Sequence, residues 1–226
     1  MTTTTAITAR ELVSRLLAGE RDFSSTRLDA SDADLSAQAD YEKLNDYLRG
    51  LEDLRENPIL CNNVDWQGLR APGLYFLGAK LAGANLAGAD LRDADIRRAD
   101  LQAARLEGSD LSGATFIGSR MMESDLSNST MKGTDLYEAN LSKGVLAGCD
   151  LTGAYMLRLN LSGADLSSAK LTGVTFYRSD LRGAIGLETA QDLATCLFKH
   201  TIVTARERDI IEGTLAALPR YDLRAE

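Results

Sequence analysis

The stretch AKLAGANLAGADL, residues 79–91, places a leucine at every fifth position: Leu81, Leu86 and Leu91. The step extends far beyond it. From Phe76 to Leu181, 22 successive positions five residues apart are large and apolar, with no break in phase. Two residues before each stands a small side chain, such as Ala79, Ala84 and Ala89, with Leu74, Leu159 and Val174 as exceptions. The residue between the two is often Asp or Asn, as at Asn85 and Asp90. A period of five fits neither a helix nor a strand, so each pentapeptide must be its own structural step. Glycine follows the large residue by two in 12 of the 22 units, where the third residue of a type II turn needs positive φ. A chain that turns once per five residues in one sense winds into a coil around its column of large side chains.

The bulk properties agree with many small, similar packing positions. Hydrophobic residues make up 44% of the 226, but aromatic residues only 6%. The formal net charge of -8 is unevenly spread: -5 over residues 1–75, -1 over 76–185 and -2 over 186–226. The repeat body is nearly neutral and offers no basic patch of the kind that binds nucleic acid. Cys61, Cys149 and Cys196 form no CxxC and no close pair, so neither a disulfide framework nor a zinc site is expected. The Thr-rich start, Met1 to Arg10, lacks the apolar core of a signal peptide, and no apolar run approaches the ~20 residues of a membrane span. A soluble, cytoplasmic protein without membrane contact is the expectation.

These residues resemble the pentapeptide-repeat family, whose consensus is A(D/N)LXX, over at least Leu74 to Leu187. The run Ala18-Gly-Glu-Arg-Asp-Phe23 is similar to the start of many cyanobacterial members. The resemblance implies an all-β solenoid, a right-handed quadrilateral β-helix with four pentapeptides per coil. At a strand spacing of ~4.8 Å, about five and a half coils would make a rod of roughly 26 Å.

If a coil is 20 residues, positions 20 apart share a face, and one face stands out. Its interior residues are Phe76, Ile96, Phe116, Leu136, Met156 and Phe176, whereas the other three are almost all Leu. Its outward positions include Tyr75, Leu77, Arg97, Arg98, Ile117, Tyr137, Tyr155, Leu157, Arg158, Tyr177 and Arg178. Elsewhere the outward positions are mainly small, polar or singly charged. Four of the seven tyrosines fall on this wall, and Tyr, Leu and Arg together compose contact surfaces. The wall is therefore expected to bind a protein partner or a second copy of the chain. The alternative is that wider coils simply need larger residues there.

Five regions follow along the chain. Residues 1–20 hold an N-terminal capping helix with Leu12, Val13, Leu16 and Leu17 apolar, and 21–36 form a first partial coil carrying Phe23 and Leu28. The phase slips near Ala30 to Leu35, and 37–57 read as an inserted amphipathic helix, striped by Tyr41, Leu44, Leu48, Leu51 and Leu54. That helix is either a cap or a recruitment element. The β-helix covers 58–186, resuming at Cys61, Trp66 and Ala71, and Gly186 breaks its column. Residues 187–226 read as a C-terminal helical cap, with helices over 188–198 and 204–218 and Pro219 ending the second.

No arrangement suggests catalysis, a cofactor or a metal. His200, the one histidine, reads as a polar residue between helices, and Cys149 as a buried, inert thiol. Asp90, Asp110 and Asp150 share a face, but Thr130 and Lys170 interrupt them, and the family resemblance implies that such residues bond the backbone at corners. No P-loop, GxGxxG or nucleophile elbow occurs. The function expected is a non-enzymatic interaction scaffold. The alternative is a DNA mimic that regulates or protects a type II topoisomerase, DNA gyrase, as some family members do. Those members are acidic rods, and the near-neutral repeat body departs from that pattern.

Overall fold

The computed structural model describes residues 5–51, 54, 56–215 and 221–225. Single parallel bridges link residues 20 apart along the repeat body: Lys80 with Asp100, Asn85 with Arg105, Asp90 with Asp110, Tyr75 with Asp95. Four bridged positions five residues apart close one coil, so the cross-section has four sides. Every coil hands its backbone groups to the next. Leu81 N–H donates to Asp100 O at 2.7 Å, and Asp100 N–H donates back to Ala79 O at 2.9 Å. Within a turn the small residue bonds the large one before it, as Ala84 N–H does to Leu81 O at 3.0 Å. Backbone polar groups are thus satisfied without long strands, as burial demands.

Both periodic columns point inward. The large residues from Phe76 to Leu181 and the small ones from Ala79 to Ala184 are buried, the first forming the central packing and the second the corners. Ser109, Ser124 and Thr134 replace alanine in the small column and return their hydroxyls to the carbonyls of Leu106, Met121 and Met131. The Asp/Asn column has a structural use. Asp110, Asp125, Asp135 and Asp150 each accept, through Oδ1, the backbone N–H two residues on, at 3.1, 2.9, 3.0 and 3.1 Å. This local bond favours the turn over any competing conformation.

At the N-terminal end, β1 (Thr5–Ile7) precedes α1 (Ala9–Leu17) and pairs in parallel with β2 (Thr26–Leu28). Thr8 caps α1, its side chain accepting from Glu11 N–H at 3.1 Å. Leu12, Val13 and Leu16 bury one face of α1, while Leu17 is only partly covered. The first coil bridges Asp22 to Leu60, Arg27 to Asp65 and Asp34 to Arg70. The phase slip is a 3₁₀ turn at Ala30–Asp32, which adds two residues to that side. Helix α2 (Tyr41–Arg49) follows, with Leu44 and Leu48 fully buried. It is shorter than the helix expected over 37–57. Asp34 Oδ1 holds Ala37 N–H in a turn at 3.1 Å, and Gly50 stops the helix.

Helix α2 lies where the marked wall would need one more strand. The side-chain oxygen of Asn45 accepts Tyr75 N–H at 3.0 Å, Tyr41 OH donates to Pro72 O at 2.9 Å, and the Arg49 guanidinium sits 5.9 Å from the Tyr75 ring centre. A helix side chain thus closes a strand edge that would otherwise be an open template for pairing.

The C-terminal end differs most from the sequence reading. The coil does not stop at Gly186, and 188–198 is not a helix. Only Leu193–Thr195 forms a 3₁₀ turn, and Leu197–Val203 is a strand. Strands β3 (Tyr155–Leu157), β4 (Thr175–Tyr177), β5 (Leu197–Val203) and β6 (Tyr221–Ala225) make one parallel sheet in that order. The last coil bridges Asp165 to Ile185, Lys170 to Gln191 and Asp180 to Ile202, so its span grows from 20 to 22 residues. Two single-residue additions put Leu187, Leu193, Phe198 and Val203 in the interior, and Phe198 stacks on Phe176 with ring centres 5.0 Å apart. Helix α3 (Ala205–Leu215) is the single helix of this end among the described residues, and Leu218 and Pro219 lie outside them. The buried Glu207 carboxylate accepts both the Thr204 N–H, at 2.7 Å, and the Thr204 hydroxyl at the start of α3.

Candidate interaction wall

The marked wall is built from three outward columns, each climbing one coil per step. Because each side chain sits above its counterpart 20 residues earlier, the coil register alone aligns Leu77, Arg97, Ile117, Tyr137, Leu157 and Tyr177. Lys199 continues that column, paired with Tyr177 in the sheet. Tyr75 and Tyr155 head a second column with Asp95, Thr115, Asp135 and Thr175 between and above them, and Leu197 pairs with Thr175 at the end. Below the wall surface lie Phe76, Ile96, Phe116, Leu136, Met156 and Phe176, all buried. The sheet β3–β4–β5–β6 stiffens the C-terminal half of this wall, whereas the other three faces are held by isolated bridges.

The expected wall residues are not equally free. Tyr75 and Leu77 pack partly against the core, and Arg49 of α2 covers the Tyr75 ring. Arg97 is tied to Asp95, Nη2 to Oδ2 at 2.6 Å. Tyr155 is 59% exposed and Leu197 38%; with Ile185, on another face, these are the exposed large apolar side chains among the described residues. Arg158 pairs with Glu138 and donates to Tyr137 OH at 3.4 Å. The Tyr137 hydroxyl, and then Arg158, hold the Glu138 carboxyl below its usual range. The Arg178 guanidinium lies 5.4 Å from the Tyr177 ring centre, and His200 meets that ring edge-on at 5.7 Å. His200 Nδ1 is 2.6 Å from Asp222 Oδ2, an approach that becomes a bond only with a proton on Nδ1, since the carboxylate can only accept.

Leu197, Lys199 and His200 extend the wall beyond the residues the sequence singled out. The signal for them was the Phe176-to-Phe198 step of 22, masked by an apolar spacing at Leu193 and Leu197 that also fits a helix.

Among the described residues no group of three or more His, Cys, Asp or Glu side chains could hold a metal ion. Burial pushes the Cys149 thiol up to about 11 and the Cys196 thiol up to about 12, and raises Cys61 well above its ordinary value. A thiol held protonated is a poor nucleophile and a poor ligand. Among the described residues no helix is long and apolar enough to cross a membrane.

Stacked four-sided coils with one differentiated outer wall define a repeat protein. The chain belongs to the pentapeptide-repeat family: the model of "pentapeptide repeats" matches residues 75–113, 104–142 and 145–183, with 8 copies. Members of known structure are right-handed quadrilateral β-helices. Among solved structures the chain is similar to HetL, a pentapeptide repeat protein involved in heterocyst differentiation regulation from the cyanobacterium Nostoc sp. strain PCC 7120. That likeness has 19% identity over 86% of this chain and 94% of the other, with a TM-score of 0.42. It is also similar to QnrB1, a plasmid-mediated fluoroquinolone resistance protein, with 18% identity over 59% and 74% and a TM-score of 0.36. A third is Rfr23 from the cyanobacterium Cyanothece 51142, with 24% identity over 69% and 97% and a TM-score of 0.24. Superpositions this loose carry no argument about the role of this chain. No curated protein matches its sequence.

Proposed function

We propose that this protein is a non-enzymatic scaffold that engages a protein partner through the marked wall. The reading rests on the segregation of outward-facing apolar and cationic side chains: the exposed Tyr155 and Leu197 and the half-buried Leu157 and Tyr177 share one wall with Arg98, Arg158 and Arg178. Aromatic and arginine side chains contribute most of the energy of protein interfaces, and a rigid sheet holds them at little entropic cost. The same cations oppose the duplex-mimic alternative, which needs a dense negative field.

The test is the triple substitution Tyr137→Ser, Leu157→Ser and Tyr177→Ser. These side chains point away from the core, so circular dichroism and melting temperature should stay close to wild type. Partner capture and self-association, followed by cross-linking and sedimentation, should be lost. Equal association by both proteins would sink the reading, and inhibition or protection of gyrase supercoiling at micromolar protein would favour the alternative.

A further inference from the structure

We infer that the C-terminal half of the wall docks a short acidic segment of a protein partner, with arginines on one corner of the coil reading its carboxylates. This rests on the wall being an interaction surface and adds the chemistry of what it takes.

The first observation is conformational. Each pentapeptide turn has one residue of positive φ, and at most such positions the chain uses glycine or a short side chain. Arginine occurs there three times, at Arg98, Arg158 and Arg178, with φ of 57°, 55° and 54°. All three stand on the same corner, the one bordering the marked wall. The other long side chains at such turns are Glu138, paired with Arg158, and His200 on this corner, and Glu123 and Lys143 on another, paired with each other at 3.8 Å. A left-handed residue other than Gly or Asn/Asp costs roughly 1–2 kcal/mol. The turn gains nothing in return. Arg178 N–H donates to Lys199 O at 2.9 Å, just as Gly118 N–H donates to Tyr137 O at 2.9 Å. Arg158 has a use within the fold, its pair with Glu138, but Arg98 and Arg178 have no ion pair among the described residues, so the use of their guanidinium groups lies outside the fold, where strain is stored for function.

The second observation is charge. The chain has net charge -8, yet the outward positions of this wall carry Arg97, Arg98, Arg158, Arg178 and Lys199 against Asp95, Asp135 and Glu138. Among the described residues Arg98, Arg178 and Lys199 have no ion pair, and Arg178 has only the Tyr177 ring. From Tyr155 to Lys199 no carboxylate faces outward on the wall, so Arg158, Arg178 and Lys199 form an uninterrupted cationic edge beside Tyr155, Leu157 and Tyr177.

The third observation is size. Arg158 to Lys199 spans two coil steps, roughly 10 Å at the ~4.8 Å spacing, which three or four extended residues match. Asp135 and Glu138 close the strip on one side, and Asp222, beside His200, closes it on the other. A long polyphosphate would run into these acids. A peptide with two or three carboxylates flanking apolar side chains fits between them, its carboxylates forked by arginine and its apolar groups on the tyrosine rings.

The experiment is fluorescence anisotropy on the full chain with fluorescein-labelled dodecapeptides of alternating Glu/Leu and Lys/Leu, and a labelled twelve-nucleotide oligo-dT. The Glu/Leu peptide should bind, and Arg158→Gly with Arg178→Gly should weaken it at least tenfold while melting at or above the wild-type temperature. Arg158→Glu with Arg178→Glu should move the preference to the Lys/Leu peptide. Failure of the Glu/Leu peptide to bind, or tighter binding of oligo-dT, overturns the inference. If the serine triple loses binding but the arginine variants keep it, the wall remains the interaction surface and the acidic ligand is wrong.

Discussion

Removing the Asn45 side-chain oxygen would leave Tyr75 N–H without a partner at the lower edge of the marked wall. Asn45 is 6% exposed and accepts that N–H at 3.0 Å, in the place where a further coil would supply a carbonyl. An unpaired buried donor costs about 1–3 kcal/mol. For a domain of this size each kcal/mol lowers the melting temperature by roughly 2–4 °C, so Asn45→Leu should melt about 2–12 °C lower. Leucine nearly preserves the volume, so the loss measures the hydrogen bond rather than a cavity. Asn45→Asp keeps an acceptor and should lose less. Hydrogen exchange supplies the local readout. The Tyr75 amide should exchange at least tenfold faster in Asn45→Leu, while the neighbouring Phe76 amide, which donates to Asp95 O at 2.8 Å, stays protected. A leucine variant within about 0.5 kcal/mol of wild type, with Tyr75 still protected, would refute the idea that α2 substitutes for a strand.

Two glycines with similar φ separate backbone strain from steric closeness. Gly173→Ala meets open space at φ +69° and should cost about 1–2 kcal/mol by conformation alone. Gly186→Ala, at φ +78°, would bring its Cβ to 2.3 Å from Ser167 N, and should cost roughly 3 kcal/mol or more, measured by urea unfolding. Equal losses would refute the assigned close approach. The three cysteines should resist a thiol reagent at pH 8 until the protein is denatured, because all three are buried and held protonated. The Cys149 thiol, ordinarily near 9.0, is pushed up to about 11, so in that window the unfolded chain holds fewer protons than the folded one. Stability therefore falls as pH rises from about 9 to 11, by up to about 1.4 kcal/mol per pH unit for this thiol. Cys149→Ala should lose stability less steeply there than wild type, and parallel curves would contradict the assignment.

The repeat body was legible because its signal is redundant. The phase running from Phe76 to Leu181 fixes which side chains point inward, and a 20-residue coil then fixes which of them share a wall. The C-terminal end was not legible, because two single-residue additions break the phase just where Leu193 and Leu197 imitate a helical stripe. The interior column from Phe198 through Thr201 to Val203 becomes readable only once β4 is present as its template. The edge role of Asn45 was hidden for another reason: it is a polar residue within the buried stripe of Tyr41, Leu44 and Leu48, and its partner is 30 residues away. Among the wall residues, spacing identified the columns but could not distinguish the covered Tyr75 from the open Tyr155. Nor does spacing reveal that an arginine occupies a left-handed turn, since that follows from the backbone angle.

The fixed 20-residue circuit makes the wall a matter of phase as well as composition. Duplicating a whole circuit would lengthen the tyrosine–arginine strip and leave every downstream residue on its own side. Inserting a single pentapeptide at, for example, Gly148 would keep the interior leucine column intact, but would turn everything beyond it by a quarter revolution. Tyr155, Leu157 and Tyr177 would then no longer sit above Tyr137 and Ile117. A protein built this way can change the length of its recognition surface by whole circuits, and can dismantle that surface with five residues that its core would accept.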